Sequence, residues 1–137
     1  MKKMILLLAF AGLFCTVGCT SNTKRAHELI AEYQQKAEEA KVELSEIALC
    51  VDLTPELDAY VQAYASSYAY RTAIKVAENW QLTTEPLQYE AISSAVRAEN
   101  LSFPLTEEEE AYKSKYTEVA MYNAVVSVLE KWVELHS

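Results

Sequence analysis

Near its C-terminus the chain reads Met121-Tyr122-Asn123-Ala124-Val125-Val126-Ser127-Val128-Leu129-Glu130-Lys131-Trp132-Val133-Glu134-Leu135-His136. Two apolar seams run through this stretch side by side. One is Met121, Val125, Val128, Trp132 and Leu135; the other is Tyr122, Val126, Leu129, Val133 and His136. Each steps by four and three, which is helical spacing, and together they cover an arc too wide for one neighbour to bury. A helix of this kind is expected at the centre of a bundle with two or more others packed on it. Asn123, lying between the seams, reads as a polar group that fixes register or oligomeric state.

Working upstream, Ala26, Ile30, Tyr33, Ala37, Ala40, Leu44, Ile47 and Val51 form a third seam with the same alternation, flanked by charged residues such as Glu28, Glu32, Lys36 and Glu39. This predicts a helix over about 24–51 with a narrow apolar stripe, and Ala37 and Ala40 let a partner helix come close. The prolines mark the breaks. Thr54-Pro55-Glu56 has an N-cap followed by proline at the first helical position, and Thr84-Glu85-Pro86 repeats the idea one residue later. Phe103-Pro104 closes a segment, after which Thr106 and Glu109 have the spacing of a capping box, with Glu107, Glu108 and Glu110 favoured by the helix dipole. Helices are therefore predicted at 55–82, 85–100 and 107–136.

The segment after Thr54 has two periodicities. Leu57, Val61, Tyr64, Ala65, Tyr68, Ala69, Val76 and Trp80 share a broad helical face, while Tyr68, Tyr70, Thr72, Ile74 and Val76 alternate as a strand would. A strand needs a partner and no other segment alternates cleanly, so helix is expected. Both glycines of the 137 residues, Gly12 and Gly18, precede residue 19. The rest of the chain has no phosphate-cradling glycine loop and few means of making tight hairpins. The fold expected is all-α: a single small antiparallel bundle of about four helices over 24–137, preceded by a short polar tether.

The N-terminus is an address. Met1-Lys2-Lys3 precedes an apolar run from Met4 to Val17, and then come Gly18-Cys19-Thr20-Ser21. The run is shorter than the ~20 residues that span a bilayer, so it reads as a secretory leader or a short uncleaved anchor. Thr16-Val17-Gly18-Cys19 resembles the lipobox of bacterial lipoproteins, with Thr16 standing where a Leu-like residue is usual. Ordinary leader cleavage near Gly18 is the competing reading. The resemblance implies a cleaved leader over 1–18, acylation of Cys19 with fatty chains such as palmitate, and a tether over 19–23. With Thr20 and Ser21 after the cysteine, it also implies the outer membrane, facing the periplasm. The bilayer, reached through acylated Cys19, is the first expected partner.

Loss of the leader removes Cys15 and leaves Cys50 as the free thiol. Cys50 is expected to be a buried inert thiol, with an intermolecular disulfide as the alternative. Loss of Lys2 and Lys3 takes the net charge from −8 to −10, a balance that repels nucleic acid and favours a cationic protein partner. The two histidines, His27 and His136, stand near opposite ends of the body, and no Glu-x-x-His or haem-attachment pattern occurs. Consecutive helical residues such as Glu107 to Glu110 radiate apart and do not converge on a cation. The expectation is a non-enzyme with no cofactor and no metal.

The distinctive feature is nine tyrosines, of which Tyr60, Tyr64 and Tyr68 step by four with Tyr70, Arg71 and Lys75 close by. With Trp80 and Trp132, the residues Tyr60, Tyr64, Tyr68 and Arg71 form the candidate interaction or ligand face, although core packing would also explain these aromatics. The leading expectation is a lipid-anchored module that engages another envelope protein, or itself, through a helix face. A helical carrier with an aromatic pocket around Arg71, or a lipoprotein protecting against a phage or toxin, are the alternatives.

Overall fold

The structure, a computed structural model, describes residues 22–136; the leader, Cys19 and the first part of the tether lie outside them. Four helices account for most of the described chain: α1 (Asn22–Ala48), α2 (Pro55–Asn79), α3 (Glu85–Leu101) and α4 (Glu107–His136). The protein is an all-α bundle, and the segment with competing periodicities is helical throughout. Helix α1 begins at Asn22, so Asn22 and Thr23 belong to the helix rather than to the tether.

Cross-helix pairs fix the directions. Glu43 meets Lys115 and Tyr33 meets Tyr122, so α1 and α4 are antiparallel. Tyr60 meets Lys113 and Trp80 meets Trp132, so α2 and α4 run parallel and pack directly on each other. Helix α4 packs against both α1 and α2, as its wide apolar arc requires, while α3 packs on α2 at the outside. The larger core joins Leu29, Tyr33 and Ala37 of α1, Val76 and Trp80 of α2, and Val125, Leu129 and Trp132 of α4. A smaller cluster of Leu57, Val61 and Tyr112 closes the other end.

The helix starts follow their caps. The Leu57 N–H donates to Thr54 Oγ1 at 3.1 Å. At α4 the capping box is reciprocal, with Thr106 N–H donating to Glu109 Oε1 at 2.9 Å and Glu109 N–H to Thr106 Oγ1 at 3.2 Å. Thr84 differs: its side chain makes no cap bond and instead accepts from Gln88 Nε2 at 2.8 Å.

The helix ends differ from the periodicity. Helix α2 stops at Asn79, three residues early, because Gln81 turns left-handed at φ 59°. Leu82 N–H then donates to Ala77 O and Gln81 N–H to Glu78 O, the paired bonds of a Schellman cap built without glycine. Helix α1 stops at Ala48, after which Leu49, Cys50 and Val51 make tight bonds back to the third residue before each.

Three single-residue expectations are corrected. Cys50 is exposed, because the chain has left the helix there and its turn faces outward. Asn123 is exposed on the side of α4 away from the core and fixes no register. Leu135 is exposed as well, close to the end of α4.

Candidate functional site

Helix α2 places Tyr60, Tyr64 and Tyr68 one turn apart, and their rings contact in sequence at 6.1 and 4.9 Å between centroids. Phe103, from the loop after α3, continues the row at 5.8 Å from Tyr60. At the other end the Arg71 guanidinium lies over the Tyr68 ring at 4.6 Å and donates to the buried Ser67 hydroxyl at 2.8 Å. The row is thus a rigid strip of aromatic faces capped by a cation that rises to the surface.

Lys113 of α4, unremarked in the sequence, is the second cation of the strip. Its ammonium sits 4.2 Å from the Tyr64 ring centroid and 5.1 Å from that of Tyr60, donates to the Tyr60 hydroxyl at 3.3 Å, and pairs with Glu110 at 3.2 Å. A buried ammonium needs this much compensation, and the two π-faces supply what water would have given. Burial, then the hydrogen bond with Tyr68, pushes the Tyr64 phenol well above the ordinary tyrosine value. The Tyr64 phenol is therefore a hydrogen-bonding group and not a base at neutral pH.

The tryptophans do not join the strip. Trp80 and Trp132 meet edge to face at 4.8 Å in the main core, about six helical turns from Tyr60, and fill the space between α2 and α4 with each other's rings. Arg71 is exposed rather than turned in toward them. Of the candidate residues, then, Tyr60, Tyr64, Tyr68 and Arg71 come together, and Trp80 and Trp132 form a separate pair. The buried Trp80 Nε1 has no hydrogen-bond partner among the described residues.

A second surface is built by α3. This helix buries small residues against α2, namely Ala91, Ser94 and Ala98, and turns its large apolar side chains outward. Tyr89, Ile92 and Val96 are 73%, 67% and 53% exposed. They are spaced by three and four and so share one outward stripe. An ordinary surface helix has the reverse arrangement, and an ordered apolar stripe on the outside is the feature of a surface that expects a partner.

Among the described residues no group of three His, Cys, Asp or Glu side chains is placed to hold a metal ion. No described helix is long and apolar enough to cross a membrane. Comparison with family models, with curated proteins and with solved structures finds no match to this chain.

Proposed function

We propose that this chain is a lipid-anchored protein of the bacterial envelope, tethered through Cys19, that works without catalysis by engaging another envelope protein through a helix face. The observation that carries the reading is the outward stripe Tyr89, Ile92 and Val96 on α3. Exposed apolar side chains at helical spacing give a second helix a seam to pack on. The leader and the lipobox-like run ending at Cys19 support the anchor, and Thr20 and Ser21 favour the outer membrane, facing the periplasm. The acidic body, repelled by anionic headgroups, favours a protein as the second partner.

The test places a photoreactive amino acid at Ile92 of the full-length protein in its native membrane. Crosslinking to one defined envelope protein, lost in the Tyr89→Glu/Val96→Glu variant while far-UV circular dichroism is unchanged, is the expected result. Recovery of uncrosslinked monomer alone overturns the reading. For the anchor, Cys19→Ala is expected to release the protein from membranes and to abolish fatty-acid labelling; unlabelled native protein overturns it.

A further inference from the structure

The loops 49–54 and 102–106 lie side by side at one end of the bundle, where Val51 and Leu105 pack into one cluster with Leu57 and Tyr112. Large apolar side chains remain uncovered there. Leu49 is 88% exposed, and Leu53, Leu101 and Phe103 at the same end of the bundle are partly exposed. The same end holds the charge: residues 46–58 and 98–110 carry nine carboxylates and no lysine or arginine. At the opposite end, residues 22–34, 75–88 and 125–136 carry six carboxylates against four lysines and arginines. Of the cations nearest the acidic end, Lys113 and Lys115 are buried and engaged by glutamates, and the exposed Arg97, one turn inside α3, sets a single positive charge against the nine carboxylates.

We infer that this acidic, apolar end is a docking surface for a basic amphipathic segment of another protein, a helix or extended stretch with lysines or arginines beside two or three large apolar side chains. Charge complementarity selects the occupant. A second copy would bring nine carboxylates against nine, and an anionic bilayer or nucleic acid would be repelled in the same way. Helix capping accounts for carboxylates in the first turns of α2 and α4, but it leaves Leu49 and Leu53 uncovered without a reason. Apolar side chains at an end rich in carboxylates provide both halves of such recognition: steering from the carboxylates and a desolvated centre from the leucines. This surface is distinct from the α3 stripe, and each can fail without the other.

The test uses the full-length protein in zwitterionic micelles and a photoreactive 18-residue helical peptide with lysines on one face and leucines on the other. Crosslinks mapped by mass spectrometry are expected to concentrate in residues 49–54 and 101–108. The yield is expected to fall at least fivefold between 50 and 500 mM salt, and at least fivefold in Leu49→Ser/Leu53→Ser, whose changes lie on exposed side chains. Tyr89→Glu/Val96→Glu is expected to leave the yield unchanged, which separates this surface from α3. A glutamate–leucine peptide and a lysine–serine peptide are expected not to crosslink. The inference is overturned by crosslinks elsewhere on the bundle, by a yield indifferent to salt or to the leucine changes, or by chain-to-chain crosslinks through residues 49–54.

Discussion

The Lys115 ammonium on α4 lies 2.8 Å from the Glu43 carboxylate on α1, and it does so at a position where the lysine is only 5% exposed. Glu118, one turn on, takes a second contact at 2.6 Å. Burial lowers the lysine's pKa, but the hydrogen bonds and charges of Glu118 and Glu43 outweigh it and hold the group above the ordinary lysine value. The two ways of breaking this arrangement are unequal. Lys115→Met keeps the apolar stem and removes the buried charge, leaving glutamates that water can reach, and is expected to stay within about 1 kcal/mol of the parent. Glu43→Ala/Glu118→Ala strands the ammonium in the core and is expected to cost about 3 kcal/mol. Urea unfolding followed at 222 nm measures both.

The three threonines before helices make a graded set. Thr54 and Thr106 accept from backbone N–H groups, so each alanine variant is expected to lose about 1 kcal/mol. Thr84 holds only a side-chain bond from the exposed Gln88, and Thr84→Ala is expected to change stability by less than about 0.5 kcal/mol. Equal losses at all three positions in urea titrations would contradict this account of the caps.

Gln81 occupies a left-handed backbone position that glycine accepts without steric cost. Gln81→Gly is therefore expected to stabilise the protein by roughly 0.5–1 kcal/mol, an unusual sign for a change to glycine. Thermal unfolding checks it, with a rise in Tm expected; a fall would mean that the Gln81 side chain contributes more than its backbone withholds.

Alkaline pH offers a separate probe of the core. Burial, reinforced by the neighbouring Glu32, pushes the Tyr33 phenol up to about 12, and burial with Glu118 raises Tyr122 further. A phenol that ionises near 10 when unfolded but later when folded stabilises the native state below pH 10. That contribution is lost as pH rises through the folded value. Between about pH 10 and 12 the loss from Tyr33 is on the order of 2–3 kcal/mol. Lys115 adds a loss of the same sign as it deprotonates above its ordinary value. Denaturation midpoints measured from pH 8 to 12 are expected to hold level and then fall, and the fall is expected to be smaller in Tyr33→Phe.

The features legible in the sequence were those encoded over a few neighbouring residues. Thr54-Pro55 and Thr106 with Glu109 act within one turn, so the helix starts followed from them directly. The C-terminal ends were less legible because the cap at Gln81 uses a residue that announces nothing. Spacing also showed which side chains share a face without showing which face is covered, and α3 is the case in point: its small side is packed and its large side is not. Lys115 was the clearest loss. Carrying the seam of Tyr122, Val126 and Leu129 back by the same steps reaches Val119, Lys115 and Tyr112, all of them buried. A charge on that line reads as the end of a seam, and only the facing Glu43 makes it a core position. In the tyrosine strip, the α2 residues could be found by their spacing, whereas Lys113 came from another helix and had no local mark.

The alternation of helix directions brings Asn22 and His136 out at one end of the bundle, opposite the turns at 49–54 and 102–106. A short linker could join these two positions into a ring, and the ring could be reopened in the 49–54 turn, giving a permuted chain that keeps every helix pair intact. A fluorescent protein fused after Ser137 would in turn report on the surroundings of the N-terminal end, while one inserted between Asp52 and Thr54 would stand the whole length of α1, ~40 Å, away from it.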